Sequence, residues 1–303
     1  MKILVTGGVG FIGSHLVDEL IKQGNEVVVL DNLSTGLKEN LNEKAIFYCE
    51  DLTNFDKILE IFNKEKPEVI FHLAAQIDVR KSVENPIEDA KINIVNALNL
   101  LELAVKYKIK HFVFSSTGGA IYGDTKTPTF ENEKENPVSP YGCAKLAIEK
   151  YLNFYNKIYG LKYTCLRYAN VYGERQNGKG EAGVIAIFFE KMFSGENPAI
   201  FGGSQTRDYV YVKDVVNANL LALNDDKSEI YNVGTGKETN IIEIFNKINN
   251  FFGNKFEAVY KEKKKGEQEK SCLSFEKINK SLGWKPEFDL DNGLRQVYEW
   301  YKK

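Results

Sequence analysis

The sequence predicts an α/β fold in which helices cover both faces of a parallel sheet. Three observations predict it. Strand-like and helix-like segments alternate over the first half of the chain, the strand-like segments are almost entirely apolar, and a glycine-rich turn joins the first strand to the first helix. Because strands of this kind are buried on both faces, the connections between them are expected to be right-handed helical crossovers. The predicted architecture is a doubly wound sheet.

The first unit of this pattern is a strand, a glycine turn and a helix start. Residues 3–5 are apolar, and residues 6–13 read TGGVGFIG. Gly7 permits a tight turn, Gly10 lets backbone N–H groups approach a pyrophosphate, and Gly13 lets the helix pack closely on the strand. The glycine spacing differs by one residue from the usual Rossmann fingerprint, but the turn still predicts a site for a dinucleotide.

The second strand indicates which dinucleotide is bound. Residues 27–30 form the apolar run VVVL, and Asp31 follows at the position where an acidic residue meets the adenosine ribose. A carboxylate accepts hydrogen bonds from both ribose hydroxyls but repels a 2′-phosphate, and residues 32–34 bring no cation to reverse that preference. We therefore predict NAD rather than NADP. The alternative is that Asp31 only caps a loop.

Further alternation extends the predicted sheet to six strands. The remaining strands are predicted at residues 45–49, 69–73, 112–114 and 163–166, and the helices after the first at residues 58–62, 87–105 and 146–159. From about Asn170 glycines are scattered and the elements are shorter, which indicates a smaller lobe interleaved with the first. We place the Rossmann-type domain at residues 1–169, with some later segments returning to it, and the smaller C-terminal lobe at residues 170–303.

Composition and charge exclude several classes of protein. The chain has 303 residues, of which 43% are hydrophobic and 27% are charged, and its formal net charge is −2. That balance predicts no nucleic-acid partner, and the mixed-charge run at residues 261–265 is typical of a solvated loop. No apolar run approaches the roughly 18 residues of a membrane span, so we expect a cytoplasmic protein without membrane contact. The cysteines are isolated from one another, which predicts reduced thiols and no metal site; they are Cys49, Cys143, Cys165 and Cys272.

Tyr141 and Lys145 form a second pattern with chemical meaning. Ser139 and Pro140 precede them, and if a helix begins there, Lys145 lies one turn after Tyr141 on the same face. A phenol with a pKa of about 10 is a poor base at neutral pH, but a nearby ammonium and a nicotinamide cation both stabilise the phenolate. The hydroxyl cluster at residues 115–117 ends the fifth strand, where ligands of such sheets bind. We interpret the pair as catalytic; the alternative is an ordinary surface pair.

Together these motifs resemble those of the extended short-chain dehydrogenase/reductase family, and within it the nucleotide-sugar 4-epimerases of the UDP-glucose 4-epimerase type. The resemblance covers nearly the whole chain. The motifs that carry it are residues 6–15 (TGGVGFIGSH), Asp31-Asn32, Asp51-Leu52, residues 72–75 (HLAA), residues 115–117 (SST), Tyr141 with Lys145, residues 166–173 (LRYANVYG) and residues 207–212 (RDYVYV).

The resemblance implies an NAD site built from several segments of the chain. Within it, Lys145 binds the nicotinamide ribose and lowers the pKa of Tyr141, and Tyr168 shields the nicotinamide. The residues implied for the pyrophosphate are Gly7, Gly10, Phe11, Ile12 and Gly13. Those implied for the adenosine are Asp31, Asn32, Asp51 and Leu52. Those implied around the pyrophosphate, the nicotinamide ribose and the nicotinamide are Ala74, Ala75, Gln76, Asn93, Ser115, Tyr141, Lys145 and Tyr168.

The resemblance also implies which residues are catalytic and which bind the sugar nucleotide. Tyr141 is the implied acid and base, Lys145 its catalytic partner, and Thr117 hydrogen-bonds the reacting hydroxyl. Ser116 is the alternate to Thr117, because residues 118–119 add one residue relative to many relatives. The residues implied for the UDP-sugar are Thr117, Asn170, Arg207, Lys264 and Ser271. Lys264 stands where relatives often have an arginine, and lysine offers a point charge rather than a fork.

The residues after Thr117 indicate which reaction is catalysed. In this family, sugar-nucleotide 4,6-dehydratases place an Asp-Glu pair there and decarboxylating relatives place a Glu, whereas residues 118–120 read GGA. Without a second acid/base group, the resemblance implies interconversion of UDP-glucose and UDP-galactose at carbon 4, through a transient 4-keto sugar and with NAD retained. The alternatives are a 4-epimerase of UDP-N-acetylhexosamine or UDP-glucuronate, a one-way dehydrogenase or reductase, and a non-catalytic NAD-binding scaffold.

Two further expectations concern the partner and the sugar pocket. The helices at residues 87–105 and 144–155 carry more apolar surface than one sheet face requires, which predicts a homodimer, with core packing as the alternative. Counting back from residues 282–284 places Ser271 where some 4-epimerases carry a tyrosine beside carbon 2 of the sugar. A serine there predicts room for an N-acetyl group, unless a neighbouring side chain or a loop fills the gap.

Overall fold

The computed structural model describes residues 1–178, 183–263 and 268–303. Its strands are β1 (Lys2–Thr6), β2 (Glu26–Asp31), β3 (Ile46–Cys49), β4 (Val69–His72), β5 (His111–Thr117), β6 (Tyr163–Tyr168), β7 (Asn170–Tyr172), β8 (Ala199–Phe201), β9 (Thr206–Arg207), β10 (Tyr209–Tyr211), β11 (Glu229–Val233), β12 (Thr239–Asn240), β13 (Val259–Lys261) and β14 (Lys270–Ser271). Its helices are α1 (Phe11–Lys22), α2 (Phe55–Glu65), α3 (Val79–Glu84), α4 (Pro86–Ala90), α5 (Asn96–Lys106), α6 (Gly118–Ile121), α7 (Pro140–Tyr159), α8 (Val184–Phe193), α9 (Val212–Ala222), α10 (Ile241–Phe251), α11 (Glu276–Leu282) and α12 (Leu290–Tyr301). The chain also forms a 3₁₀ turn at Lys38–Asn40 and a π-helical turn at Lys91–Val95.

Within the described residues, the central sheet has seven strands in the order β11-β6-β5-β4-β1-β2-β3, and all of them are parallel. Parallel pairing suits these sequences because β1, β2 and β4 are largely apolar and buried on both faces. The strand order reverses between β1 and β4, and such a switch point opens a crevice at the carboxyl ends of the strands. The predicted doubly wound, Rossmann-type sheet is confirmed.

Alternate residues of each strand enter two separate cores. Ile3 and Val5 pack with α1 and α9 on one face, whereas Leu4 packs with α2, α5 and α7 on the other. All three side chains are completely buried, and each buried aliphatic side chain of this size contributes about 1.5–3 kcal/mol to stability. The two helical layers therefore cover both faces of the sheet and so position the loops at its carboxyl edge.

The structure departs from the sequence prediction in two places. A seventh strand, β11, pairs with β6 along its whole length, although it lies beyond residue 170. It adds to the six predicted strands and makes the two lobes interleaved. The helix predicted at residues 87–105 is divided into α4, the π-helical turn at Lys91–Val95 and α5. A π turn inserts an extra residue, which a regular pattern of apolar residues does not reveal.

The smaller lobe has its own core of aromatic and aliphatic side chains. Helices α8, α10 and α12 pack together there through residues that include Phe188, Ile244 and Leu294. A single residue separates the end of β6 from the start of β7, so this lobe is attached at the carboxyl edge of the sheet. The domain boundary at residue 170 stays a prediction. In the described part of the chain, no helix combines the length and the apolar character needed to cross a bilayer.

Candidate active site

The turn after β1 and the first turn of α1 each require a glycine. Gly7 has a φ of +72°, and a Cβ there would lie 2.7 Å from the backbone nitrogen of Ala74. A Cβ on Gly13 would lie 2.1 Å from the carbonyl oxygen of Gly7. Side chains at these positions would push β1, α1 and the loop after β4 apart. The predicted roles of Gly7 in the tight turn and of Gly13 in close helix packing therefore agree with the local geometry.

Gly10 stands at the N-terminus of α1 and leaves space in front of it. Among the described atoms, a Cβ on Gly10 would have only the Gly7 carbonyl oxygen within 4 Å, at 3.2 Å. No side chain of the described residues caps this end of the helix. The N–H groups of Phe11, Ile12 and Gly13 have no hydrogen-bond acceptor among the described residues, and the positive end of the helix dipole lies behind them. This cradle fits the pyrophosphate of NAD.

Asp31 ends β2 and faces the glycine turn. Its Oδ2 accepts a hydrogen bond from the Val9 backbone N–H at 3.2 Å, and its Oδ1 accepts one from the Leu33 N–H at 2.9 Å. Burial raises the pKa of this carboxyl, and the two hydrogen bonds oppose the rise. The loop-capping contact considered above therefore exists, but two carboxylate oxygens accept about four hydrogen bonds, which leaves acceptors for a ribose diol.

Asn32 joins the end of β2 to the segment that follows β3. Its side-chain amide donates to Asp51 Oδ2, and Asp51 Oδ1 accepts from the Thr53 backbone N–H at 2.8 Å and from its hydroxyl at 2.6 Å. Burial raises the pKa of Asp51, but these hydrogen bonds outweigh it and the net pKa is lowered. Leu52 packs into the core between the sheet and α2. Asp31 and the three residues predicted with it for the adenosine therefore lie at one end of the sheet.

The loop after β4 is tied to the π-helical turn. The Gln76 backbone N–H donates to Asn93 Oδ1 at 2.9 Å, and Asn93 Nδ2 donates to the Gln76 carbonyl oxygen at 2.8 Å. On the other side, the Ala74 N–H donates to Thr6 Oγ1 at 3.3 Å. Ala74 and Ala75 thus run past the glycine turn with small side chains. The structure brings together all four residues that were predicted for this part of the cofactor site.

Tyr141 lies in the first turn of α7. Pro140 is the first helical residue, and Ser139 Oγ accepts the Gly142 N–H at 3.1 Å, so the helix start has the capping chemistry that the sequence indicated. Lys145 lies one turn later, with its Nζ 5.8 Å from the centroid of the Tyr141 ring. An ammonium at this distance stabilises a phenolate.

Lys145 is a buried cation, with only 3% of its surface exposed. Its Nζ donates to the Ser115 carbonyl oxygen at 2.8 Å and lies 4.7 Å from the centroid of the Phe114 ring. Burial lowers the pKa of Lys145 to about 8, and the charges of Asp89 and Glu149 oppose the fall. The charge state of this lysine therefore changes close to neutral pH.

Ser116 and Thr117 point to opposite faces of β5. The Ser116 hydroxyl is buried and donates to Glu149 Oε1 at 2.6 Å, and the same carboxylate is paired with Arg167 at 2.5 Å. Thr117 ends the strand, and its Oγ1 accepts the Ala120 N–H at 3.3 Å, which leaves the hydroxyl proton for a further acceptor. Between the two predicted candidates for the reacting hydroxyl, the geometry favours Thr117 over Ser116.

Two of the residues predicted for the substrate are paired across β9 and β14. Arg207 and Ser271 are register partners in these strands, and the Arg207 guanidinium donates to the Gln268 carbonyl oxygen at 2.9 Å. A Cβ built on Gly119 would lie 3.9 Å from both Ser271 Oγ and Thr117 Oγ1. Ser271 of the smaller lobe is therefore close to Thr117 of the central sheet.

The remaining predicted site residues have different surroundings. Asn170 is exposed at the start of β7, and its backbone N–H donates to the Asp208 carbonyl oxygen at 2.9 Å. Tyr168 is 5% exposed, Asn219 Nδ2 donates to its hydroxyl at 2.8 Å, and burial raises the pKa of Tyr168 to about 12. Its contact with the nicotinamide stays a prediction beside a clear packing role. Lys264 lies outside the described residues.

Sequence reasoning missed two buried carboxylates beside the site. Asp208 is fully buried and accepts hydrogen bonds from the backbone of Thr235, Gly236 and Leu273. Asp89 lies among the residues of the predicted apolar stripe and contacts the loop after β4 through Gln76. The Arg-Asp-Tyr motif was the available signal for Asp208, whereas Asp89 falls between the apolar positions of the predicted stripe, and the periodic pattern gave no signal for it. In the described residues, no cluster of His, Cys, Asp and Glu could hold a metal ion.

The pyrophosphate cradle at the start of α1 and the pair of Tyr141 and Lys145 are together typical of an enzyme that uses a dinucleotide cofactor. Residues 3–234 match the NAD dependent epimerase/dehydratase family, and the chain belongs to this family. The predicted NAD cofactor is confirmed by this membership.

The chain is similar to UDP-glucose 4-epimerases over its whole length. The enzyme of that name from Mycolicibacterium smegmatis is 42% identical over 310 residues, which cover 100% of this chain and 99% of the relative. A solved structure of UDP-glucose 4-epimerase with UDP-glucose, from Thermotoga maritima, has a TM-score of 0.98 and 51% identity, with 100% and 99% coverage. The enzyme from Thermus thermophilus, solved with NAD, has a TM-score of 0.95 and 41% identity, with the same coverage. The prediction of an NAD-dependent isomerase is confirmed.

We expect Asp31→Ala to weaken NAD binding about 10- to 100-fold, because hydrogen bonds to a charged group contribute about 1.5–3 kcal/mol. Discrimination against NADP should relax, since the repulsion of a 2′-phosphate disappears. Titration of both cofactors into cofactor-free protein measures this. Asp56→Ala removes the same charge from an exposed position of α2 and serves as the control. An unchanged ratio of the two affinities would remove Asp31 from the cofactor site.

The buried Lys145 should make stability depend on pH. Its folded pKa is about 8, against about 10.4 in an unfolded chain, so the unfolded state binds more protons between these values and stability rises with pH. We expect the free energy of unfolding of the wild type, relative to Lys145→Met, to rise by on the order of 1–2 kcal/mol between about pH 8 and about pH 9.5.

Chemical denaturation of the NAD-bound proteins at both pH values measures this difference. Lys157→Met, an exposed position on the same helix, serves as the control and should show no such rise. A difference between wild type and Lys145→Met that does not vary with pH would contradict the shifted pKa of Lys145.

Proposed function

We propose that the protein interconverts UDP-glucose and UDP-galactose by inverting the configuration at carbon 4. The observation that carries the proposal is the placement of the Tyr141 and Lys145 pair in α7, at the carboxyl edge of a sheet that also presents an NAD cradle and the hydroxyl of Thr117. Residues 118–120 offer no second acid or base. The site therefore suits a reaction that moves one proton and one hydride away and back.

Tyr141 removes the proton from the 4-hydroxyl of the sugar and later returns it. The Lys145 ammonium stabilises the phenolate form that accepts the proton, and the Ser115 carbonyl oxygen holds that ammonium in place at 2.8 Å. The Thr117 hydroxyl donates a hydrogen bond to the reacting oxygen and so orients the 4-hydroxyl toward Tyr141. NAD, when bound, supplies an acceptor and donor for the hydride of carbon 4. The 4-keto sugar turns its other face before the hydride and the proton return.

The substrate diphosphate is held by the smaller lobe in this proposal. Arg207 provides a guanidinium that forms paired, charge-assisted hydrogen bonds with phosphate oxygens, and Asn170 provides an exposed amide nearby. Lys264 is proposed to add a point charge. Ser271, which lies near Thr117 by way of Gly119, borders the sugar.

A second copy of the chain is the proposed partner. Exposed apolar side chains lie on α7, where Phe154 and Ile158 are 46% and 62% exposed, and on the neighbouring α4 and π-helical turn, where Ile87 and Val95 are 70% and 49% exposed. These segments pack against one another and so present neighbouring apolar surfaces. Sedimentation equilibrium measures the oligomeric state. The cytoplasmic location also remains a proposal.

We expect Tyr141→Phe to retain the fold and bound NAD but to lower kcat about 100- to 10,000-fold, because it removes the titrating hydroxyl and little volume. The assay incubates the enzyme with UDP-galactose and resolves the UDP-sugars by chromatography. Tyr159→Phe removes a hydroxyl from an exposed position of the same helix and should keep full activity. A fully active Tyr141→Phe enzyme would refute the assigned acid and base.

The same assay distinguishes the competing functions. UDP-glucose, UDP-galactose, their N-acetylamino forms and UDP-glucuronate are tested separately. Net formation of reduced cofactor in step with product would indicate a one-way dehydrogenase, and retained NAD without turnover of any of these sugars would indicate a scaffold.

Ser271 should permit, without requiring, an N-acetyl group on carbon 2. Ser271 lies near Thr117 and lacks the volume of an aromatic ring, and a pocket that a substrate does not fill loses contacts with the smaller sugar without excluding it. We expect Ser271→Tyr to reduce turnover of UDP-N-acetylglucosamine at least about tenfold more than turnover of UDP-galactose. Ser271→Ala, which keeps the pocket open, should retain both activities. Equal losses on both substrates, or a wild type inactive on the N-acetyl sugar, would contradict this assignment.

A further inference from the structure

Asp89 is a buried carboxylate that uses only one of its oxygens. It is 2% exposed, and its Oδ1 accepts hydrogen bonds from Gln76 Nε2 and Asn93 Nδ2, each at 2.9 Å. Its Oδ2 is also buried and has no hydrogen-bond partner among the residues that the structure describes. An unpaired carboxylate oxygen in the interior is unfavourable, so a charge of opposite sign is expected to compensate it.

The π-helical turn explains how one carboxylate contacts two functional segments. Asp89 lies on α4, and Asn93 follows in the widened turn. There Asn93 contacts the Asp89 side chain and, in addition, both backbone groups of Gln76. Such turns often occur at functional sites. Asp89 therefore fixes the conformation of the loop after β4, where Ala74 and Ala75 are expected to contact NAD.

Lys145 is the cation whose charge Asp89 can compensate. The titratable groups that face this lysine lie on four elements of the fold; they are His72 on β4, Cys165 on β6, Tyr141 and Glu149 on α7, and Asp89 on α4. Burial lowers the pKa of His72 to about 3 and raises the pKa of the Cys165 thiol, so both are neutral near pH 7. The two carboxylates in this set are Glu149 and Asp89, and either could compensate the charge of Lys145.

Glu149 is already compensated by another cation. Arg167 donates to it from Nε at 2.9 Å and from a terminal nitrogen at 2.5 Å, and the Ser116 hydroxyl donates to it at 2.6 Å. Burial raises the pKa of Asp89, and the hydrogen bonds from Gln76 and Asn93 and the charge of Lys145 oppose that rise. Helix α4 packs against α7, so the buried Asp89 and the buried Lys145 lie on adjacent elements. Asp89 is therefore the carboxylate whose charge is available to the buried lysine.

We propose that Asp89 is a positioning residue of this active site: it holds Gln76 and Asn93 in place and provides the negative charge that keeps the buried Lys145 ammonium protonated. The inference rests on the proposed function, in which this ammonium stabilises the Tyr141 phenolate. Asp89 acts through Lys145 and does not contact the reacting sugar in this proposal.

The first test compares the pH dependence of kcat for Asp89→Asn and the wild type, both with NAD bound and with UDP-galactose as substrate. Asparagine has nearly the volume of aspartate but no charge, so Lys145 loses its proton at a lower pH. We expect the alkaline limb of the kcat profile to move down by about one pH unit. KM for UDP-galactose should change little, because Arg207 and Asn170 hold the substrate.

Two variants control for other effects of the substitution. Glu88→Gln removes a charge from the neighbouring, exposed position of α4 and should leave the alkaline limb in place. Asp89→Glu keeps the charge and should restore the wild-type limb. If Asp89→Asn does not fold, the test uses Asp89→Glu instead. A shift of the alkaline limb of the kcat profile in Asp89→Glu then overturns the proposal.

A second readout does not depend on activity. In the wild-type background, Asp89→Asn should make the rise of unfolding free energy with pH begin at a lower pH, whereas in a Lys145→Met background its effect should be independent of pH. This measurement decides about Asp89 even if UDP-galactose is not turned over, which would refute the proposed function alone. A loss of kcat by the same factor at every pH, or a stability effect of Asp89→Asn without this dependence on Lys145, overturns the proposal.

Discussion

The candidate active site depends on one buried charge, the ammonium of Lys145. Removing a cation from water is unfavourable unless polar groups replace the lost solvent. Here the replacement comes from separate parts of the fold: the Ser115 carbonyl oxygen and the Phe114 ring on β5, and the carboxylates Asp89 on α4 and Glu149 on α7. These groups converge only when the sheet and both helices are assembled. The environment of the Lys145 ammonium is therefore a property of the whole domain and not of α7 alone.

The buried ion pair of Arg167 and Glu149 determines which hydroxyl of β5 is available to contact a ligand. Arg167 and Glu149 form an ion pair in the interior, and removal of either partner would leave an uncompensated charge, at a cost of about 3–5 kcal/mol. The Ser116 hydroxyl belongs to this network. Because side chains alternate along a strand, Thr117 points to the opposite face. One strand thus separates a structural hydroxyl from the hydroxyl that we propose orients the substrate.

Sequence reasoning succeeded where the determining interactions are local. The glycine turn, Asp31 at the end of β2, and Tyr141 one helical turn before Lys145 all depend on short spacings, and their placement could be predicted. Strand β11 could not, because its position depends on pairing with β6, which lies about sixty residues earlier in the chain. The role of Asp89 was hidden for the same reason: its neighbours Gln76 and Lys145 come from distant segments, and a π turn disturbs the helical period that would have marked its face.

The residues proposed for the reaction and the residue proposed to select the sugar lie in parts of the fold with different packing. The groups proposed to react are anchored to the central sheet and its packed helices, whereas Ser271 lies on β14, a strand of two residues that pairs with β9. The buried Asp208 stabilises this region by accepting the Leu273 N–H at 3.2 Å. In the proposed function, changes in β14 alter the wall of the sugar pocket, whereas the groups around Lys145 lie on β5, α4 and α7. This separation explains why the motifs of the chain identify its chemistry more firmly than the sugar on which it acts.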